Sequence, residues 1–192
     1  LYVVDAMGGP TAFQRLIADT AKGAQGIVNL ALNPEPSATP IGTTFSDIFA
    51  NFSAAATLDS NQLGLGFSNI DLAFGCSTTV CRVQYSGFND TWSQMATSGV
   101  QEIEGWGIRA YRYTGGTGAQ LSIRVQPSES GFRGSLLERD SSTGTWSISE
   151  MVVDPATSDL LALVDSFGGE TDDVWVIVSL ESDIGEFDLS YS

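Results

Sequence analysis

The sequence contains 192 residues, 42% of them hydrophobic, so the chain is long enough to bury a core in one large domain or two small ones. Its 23 acidic and 8 basic residues give a net charge of -15, which argues against nucleic acids and anionic membrane surfaces as partners. No run of about 18 apolar residues is present, so the sequence predicts no membrane span.

The absence of histidine from the sequence limits the chemistry open to the chain. Without histidine it cannot form a histidine zinc site, a Ser-His-Asp triad or a Cys-His nucleophile. Glu102 and Glu104 point the same way from one extended segment, but nothing marks one as an acid and the other as a base. We interpret them as a solvated edge, and we assign no catalytic residue and no cofactor to this chain.

A helical block opens the chain. Up to residue 61, apolar residues recur at i, i+3 and i+4, the spacing of one helix face. Pro10 suits the first turn of a helix, and Thr44 or Ser46 is placed to cap the last one. The first segment has the pattern of the end of a longer helix, so we expect Leu1 to be a maturation, proteolytic or design boundary. We predict helices at residues 1–7, 10–23, 26–32 and 43–61.

Three phenylalanines form one stripe on the last predicted helix. Phe45, Phe49 and Phe52 lie at helical spacing, and the alanines that follow are small enough for close packing. A stripe of this size needs a partner surface. We therefore predict that these side chains contact a missing domain.

After residue 62 the hydrophobic period becomes that of strands. Polar and apolar residues alternate over short segments with glycine-rich turns between them. The segments 107–113 and 119–125 flank a Thr-Gly-Gly-Thr-Gly turn and predict a β-hairpin. The chain is therefore predicted to be an α+β protein, with a helical subdomain at residues 1–62 and an antiparallel β-sandwich or jelly roll at residues 63–192. We predict further strands at residues 70–74, 80–85, 134–138, 145–153, 160–165, 173–181 and 186–191, and a loop at residues 89–99.

Cys76 and Cys81 are the two cysteines of the sequence and frame a short loop. This spacing predicts a local disulfide formed in an oxidising compartment, with two reduced thiols as the alternative. The acidic, lysine-poor composition is common in secreted proteins and in proteins from salty environments. We predict a secreted protein.

Glu170, Asp172 and Asp173 lie in a turn between two predicted strands. Carboxylate oxygens are the ligands that Ca²⁺ prefers, so this turn is a candidate calcium site. The spacing does not match an EF-hand, and a solvated acidic turn is the alternative.

The tryptophans suggest a second kind of site. Trp175 lies within an apolar run and is predicted to be in the core, whereas Trp146 could face either way. Trp92 and Trp106 lie in or beside turns, where exposed indole rings could stack on sugars. These two residues are the candidate ligand contacts.

Several segments of the helical block resemble the helices that follow the zinc site in secreted metallopeptidases. The chain is similar to the hyicolysin-like branch of the gluzincins and, more distantly, to the immune inhibitor A group. The predicted sandwich, with residues 107–113, also looks like the β-domains appended to such peptidases. The helical resemblance lies in residues 1–9 (LYVVDAMGG), 13–17 (FQRLI), 26–32 (GIVNLAL), 44–52 (TFSDIFANF) and 54–61 (AAATLDSN).

The resemblance implies that the chemistry lies outside this chain. In the family, zinc is held by a His-Glu-x-x-His helix and a downstream glutamate, which would precede Leu1, so no catalytic residue carries over. It implies the non-catalytic C-terminal portion of a secreted zinc metallopeptidase, which completes the active-site cleft and stabilises or positions the enzyme. Its partner would be the missing N-terminal catalytic portion or another polypeptide.

Two other functions remain open from the sequence. One is an extracellular β-sandwich module that binds carbohydrate or a cell surface, with protein or glycan as its ligand. The other is a structural subunit of an extracellular assembly.

Overall fold

In the residues that the computed structural model describes, three helices precede ten strands. The chain divides into two units, Leu1–Gln84 and Tyr85–Ser192, which we call the helical unit and the β unit and describe separately. The predicted boundary after residue 62 falls outside the described residues and stays a prediction. No helix in the described part is long and apolar enough to cross a membrane. The described residues are 6–7, 9–21, 23–34, 38, 40–58, 89–91, 96–182 and 184–192.

The helices of the helical unit are α1 (Pro10–Ala18), α2 (Ala24–Leu32) and α3 (Phe45–Leu58). Pro10 begins α1, where its missing N–H costs no intrahelical hydrogen bond. α1 ends before Asp19, whose backbone is extended and whose Oδ1 accepts a hydrogen bond from the Ala21 N–H at 2.7 Å. The helix predicted at residues 10–23 is therefore shorter at its C-terminal end. Most of the helix predicted at residues 1–7 lies outside the described residues.

A reciprocal pair of hydrogen bonds begins α3. The Asp47 N–H donates to Thr44 Oγ1 at 3.1 Å, and the Thr44 N–H donates to Asp47 Oδ2 at 3.2 Å. This is a capping box, in which each side chain satisfies a backbone N–H that the helix leaves free. Of the two predicted caps, Thr44 and Ser46, the structure uses Thr44.

The described strands of the β unit range from 2 residues in β7 to 10 in β9. Residues 96–104 form β2 where a loop was predicted up to residue 99, because pairing with β10 along its length outweighs a Ser/Gly-rich start with weak strand propensity. Met151 turns inward and divides the segment predicted as one strand into β6 and β7. The strands are β1 (Asn89–Thr91), β2 (Ala96–Glu104), β3 (Ile108–Thr114), β4 (Ala119–Pro127), β5 (Phe132–Asp140), β6 (Trp146–Glu150), β7 (Val152–Val153), β8 (Leu160–Phe167), β9 (Thr171–Leu180) and β10 (Ile184–Tyr191).

Mostly antiparallel pairing arranges the described strands in two runs. The β9 run has the order β1-β3-β9-β5-β6, and the β4 run has the order β7-β8-β4-β10-β2. β1 lies parallel to β3, and one parallel bridge between Phe167 and Thr171 joins β8 to β9. The sheet is therefore mixed, which corrects the prediction of a purely antiparallel arrangement.

The glycine-rich segment after β3 does not form the predicted hairpin. β3 pairs with β9, whereas β4 pairs with β8 and β10, so the two strands lie in different runs. Instead, the glycines let this segment approach the backbone of Phe167 closely. A Cβ on Gly116 would lie 2.4 Å from the carbonyl oxygen of Phe167, and the Gly118 N–H donates to that oxygen at 2.6 Å. The composition therefore indicated a reversal of the chain but not which strands pair.

Alternate residues of both runs face a common core. The rings of Tyr111 on β3 and Phe187 on β10 contact edge-on with centroids 6.1 Å apart. Those of Tyr113 on β3 and Tyr191 on β10 lie 4.9 Å apart. Side chains from the two runs thus pack against one another.

β9 is buried on both of its faces. Val174, Val176 and Val178 belong to the common core, and Ile177 on the opposite face is only 2% exposed. A strand that is buried on both faces has a nearly continuous run of apolar residues in its sequence. This run led to the prediction that Trp175 lies in the core. Trp175 is instead half-buried on the face that points away from the core, which corrects that prediction.

Candidate functional site

The phenylalanine stripe lies on the less buried face of α3. Ile48 and residues 53–56 are buried, whereas Phe45 and Phe49 are half-buried and Phe52 is 36% exposed. The rings of Phe49 and Phe52 lie 6.2 Å apart. α3 therefore packs mainly through Ile48 and its small residues, and contact of the aromatic stripe with a missing domain stays a prediction.

The three acidic residues of the candidate calcium turn separate in the structure. Asp172 accepts two hydrogen bonds from Arg139, at 2.9 and 2.6 Å, and Asp173 accepts two from Arg112, at 2.9 and 2.7 Å. Glu170 is exposed in the turn before β9. In the described part of the chain, no group of three acidic, cysteine or histidine side chains is placed to hold a metal ion. Calcium binding stays a prediction that this geometry does not favour.

The two arginine–aspartate pairs differ in burial. The side chain of Asp173 is 4% exposed, whereas that of Asp172 is 35% exposed. The hydrogen bond to Asp173 raises the pKa of Arg112, and the hydrogen bond from Arg139 lowers the pKa of Asp172. Each of these shifts favours the charged form of the group concerned, Arg112 in one pair and Asp172 in the other.

Trp175 and Trp146 share the outward face of the β9 run. On β5, Leu137 lies opposite Trp175 and Arg139 lies opposite Trp146, and residues two apart on a strand face the same side. Both indoles are half-buried, and Arg112 lies over the Trp175 ring, 5.5 Å from its centroid. The strand spacing separates the two tryptophan Cα atoms by about 12 Å. No local pattern in the sequence marks this pair, because the two tryptophans come together only when the strands pair.

Trp106 lies at the surface, in the turn between β2 and β3. It is 45% exposed, and its backbone has φ 56°. The Gly107 N–H closes the turn by donating to the Glu104 carbonyl oxygen at 2.9 Å, and the Trp106 N–H donates to the Leu180 carbonyl oxygen at 2.8 Å. Ligand contact by Trp106 stays a prediction. The predicted sites at Trp92, Cys76 and Cys81 lie outside the described residues.

Glu102 and Glu104 are exposed on β2, as predicted for a solvated edge. Among the described strands, β2 pairs with β10 alone. Nothing in this arrangement holds the two carboxylates around a reacting group.

A cleft of about 440 Å³ opens in the β unit between two connections. Residues 128–131, between β4 and β5, form one wall, and Thr157 and Ser158, between β7 and β8, form the other. Phe132 and Leu160, which belong to the common core and are almost fully buried, form its floor, and Val153 on β7 adds an apolar side chain that is 55% exposed. No motif marks this cleft in the sequence, because two loops that are distant in the chain build it.

A cleft of about 420 Å³ lies in the helical unit beside α1 and α2. Its polar groups bond to one another: Arg15 donates to the Asn33 carbonyl oxygen, and Asn29 Nδ2 donates to Asp19 Oδ2 at 3.1 Å. We infer that these hydrogen bonds hold α1 and α2 together.

No protein-family model matches the chain, and no curated protein matches it. Among solved structures, the pre-peptidase C-terminal domain of a collagenase from Bacillus anthracis is similar over 57% of this chain and 97% of that domain, with 12% identity and a TM-score of 0.41. A Yersinia pseudotuberculosis-derived mitogen is similar over 51% of this chain and 84% of its own, with 17% identity and a TM-score of 0.35.

A third similar structure contains the CBM22-1 and GH10 modules of an endo-1,4-β-D-xylanase from Clostridium thermocellum, complexed with xylohexaose. It matches over 38% of this chain and 16% of its own, with 16% identity and a TM-score of 0.25. None of the three is described as a member of the hyicolysin-like branch. With TM-scores below 0.5, we rest no functional argument on them.

Proposed function

We propose that this chain is an accessory part of a secreted zinc metallopeptidase and contributes no catalytic residue of its own. Its helical unit would complete one wall of the active-site cleft. Its β unit, as a two-layered sandwich, would stabilise or position the enzyme. Zinc held elsewhere in the protein would supply the activated water for peptide hydrolysis.

This proposal rests on the positions of the segments that resemble the peptidase helices. The segments 13–17, 26–32 and 44–52 coincide with α1, α2 and the start of α3. These three segments are therefore helical here as well.

The contacts between the two strand runs support the sandwich. Phe187 on β10 contacts Phe132 on β5 and Tyr111 on β3, with ring centroids 5.8 and 6.1 Å apart. Two faces that share one core are what a β-sandwich requires. A module with its own core can be appended to an enzyme without taking part in its chemistry.

The test uses the complete product of the gene that encodes this chain. We expect it to contain a His-Glu-x-x-His helix and to hydrolyse casein in a reaction that a zinc chelator stops and added zinc restores. Phe49→Ser should lower this activity because it removes apolar surface from the α3 stripe. Val152→Ser is the control, since Val152 is 68% exposed on β7 and lies outside the helical unit. A product without such a helix, or without zinc-dependent hydrolysis, would reject the proposal.

Carbohydrate binding is the second candidate, favoured by the shared face of Trp146 and Trp175. Indole rings stack on the apolar faces of sugars, and the neighbouring arginine–aspartate pairs offer polar groups without adding net charge. A glycan array should then report binding that Trp146→Ala and Trp175→Ala abolish. A negative array, or binding that neither substitution changes, would remove this candidate.

A further inference from the structure

The cleft between the β4–β5 and β7–β8 connections has walls that hydrogen bonds hold in place. On one side, the Ser128 N–H donates to the Glu186 carbonyl oxygen at 2.8 Å, and the Glu181 N–H donates to the Gly131 carbonyl oxygen at 2.9 Å. These bonds fasten both ends of the β4–β5 connection to strand β10 and the chain before it. The wall is thus fixed before any ligand arrives, which lowers the entropic cost of binding.

The opposite wall is equally constrained. The Ser158 N–H donates to the Asp154 carbonyl oxygen at 2.8 Å, and Asp154 Oδ1 accepts the Ala156 N–H at 2.8 Å. Asp159, which is 4% exposed, accepts a hydrogen bond from Arg124 Nε at 2.7 Å. The positive charge of Arg124 is therefore paired behind this wall.

Glu129 is the only charged residue among the described residues that line the cleft. Its Oε1 accepts a hydrogen bond from Ser182 Oγ at 2.9 Å. A Cβ on Gly185 would lie 2.8 Å from that oxygen and 2.9 Å from the Phe132 ring, so the carboxylate and the ring both lie close to the backbone of Gly185. The carboxylate is thus seated next to the aromatic floor of the cleft.

The combination of floor and carboxylate selects one kind of ligand. Val153, which is 55% exposed, and the edge of the Phe132 ring offer apolar surface to an aliphatic stem, and Glu129 offers a negative charge to a cationic head. Lysine and arginine side chains have this composition, with methylene groups that bury easily below a charged end. An anion would be repelled by Glu129 and by the net charge of -15. A wholly apolar group would strip water from the carboxylate without replacing its hydrogen bonds.

We propose that this cleft binds a lysine or arginine side chain of a protein partner, with its stem on Val153 and Phe132 and its cationic group at Glu129. The cleft belongs to the β unit alone, so its occupant does not depend on the metallopeptidase role. If the chain does serve a peptidase, the cleft would hold the enzyme on proteins with exposed basic residues.

The test is a titration of the 192-residue chain, labelled with ¹⁵N, with capped tripeptides that have alanine on both sides of a central residue. Central lysine or arginine should shift the backbone amide signals of residues 128–132 and 157–160. Central norleucine, which keeps the stem and lacks the charge, should not shift them. Glu129→Gln should weaken binding of the lysine peptide by about threefold or more, as expected for an ion pair at a partly solvated site.

Glu102→Gln is the matched control, because it removes one carboxylate of the same kind from an exposed position outside the cleft. It should leave the affinity for the lysine peptide unchanged, and thermal unfolding should show that both variants are folded. Equal shifts with norleucine and lysine, or equal weakening by Glu129→Gln and Glu102→Gln, would overturn the proposal. Shifts that are confined to residues outside 128–132 and 157–160 would overturn it as well.

Discussion

Trp106 holds a backbone conformation that costs a side-chain-bearing residue free energy. Its φ of 56° lies in the left-handed region, where Cβ crowds the following carbonyl oxygen. The neighbouring Gly107 is constrained as well. A Cβ on Gly107 would lie 2.6 Å from the Glu104 carbonyl oxygen, so the position has no room for a side chain. The turn therefore presents an indole to solvent at the expense of local strain.

This strain predicts a ranking of two substitutions. Trp106→Gly should be more stable than Trp106→Ala by about 1 kcal/mol, because both remove the indole but only glycine adopts this conformation without cost. Urea unfolding of the two variants measures the difference in free energy directly. An alanine variant as stable as the glycine variant would mean that the turn is not strained at this residue.

Asp140 gives a second prediction at the scale of single residues. Its Oδ1 accepts hydrogen bonds from the Ser142 and Thr143 hydroxyls and backbone N–H groups, the Ser142 hydroxyl lying nearest at 2.6 Å. These hydrogen bonds, that of the Ser142 side chain first, lower the pKa of Asp140 from 3.8 to about 2. Because the folded pKa is below the unfolded value, the stabilisation is present above about pH 4 and is lost as the pH falls towards about 2.

Asp140→Asn should therefore cost stability at neutral pH and nothing at the acid end of that window. The urea midpoints of wild type and variant, measured at steps between about pH 5 and about pH 2, should converge as the pH falls. Ser142→Ala should show the same trend with a smaller amplitude, because it removes one donor. Midpoints that stay parallel over the whole range would contradict this assignment.

The two arginine–aspartate pairs of the β9 run provide a comparison between neighbouring elements. Arg112→Ala would leave the buried carboxylate of Asp173 without its cation, which should cost about 2 to 3 kcal/mol. Arg139→Ala would leave the half-exposed Asp172 to water, which should cost about 1 kcal/mol or less. Chemical unfolding of the two single variants, with the same substitution at each site, separates the effects. Equal losses would show that burial of the aspartate does not decide the contribution of the pair.

At the scale of elements, the sequence predicted local structure better than pairing. Helix caps and strand alternation depend on neighbours in the chain, so Thr44 and most strands of the β unit were found. The partners of β3 depend on packing between distant segments, and the glycine-rich turn after it suggested β4 where the structure has β9. Composition alone does not distinguish a hairpin from a connection that crosses to the other strand run.

The same limit applies to the sites. The exposure of Trp106 follows from its turn, and the sequence predicted it. Arg112 and Asp173 are separated by 61 positions, and the bidentate contact between them leaves no local pattern. The cleft around Glu129 is assembled in the same way. Sites made by one segment were within reach of sequence reasoning, and sites made by several segments were not.

The charge of the whole molecule predicts its response to salt. A net charge of -15 makes the folded chain repel itself, and Glu102 lies directly opposite Glu186 on neighbouring strands. We expect Tm to rise when NaCl is increased from about 10 to about 300 mM, as the screening length shortens. Glu102→Gln should raise Tm at low salt and show a smaller response to added salt. A Tm that falls with salt would mean that attractive ion pairs outweigh the excess of negative charge.

The position of β10 has a consequence for how the protein is made. β10 lies between β2 and β4 in the sheet, yet residues 184–191 leave the ribosome after both of these strands. Until then, the emerging chain displays the edges of β2 and β4 that β10 later covers, and such edges pair readily with other chains. The sheet of the β unit should therefore be completed only after β10 has been translated. Until then, a chaperone that covers strand edges would protect the chain from aggregation.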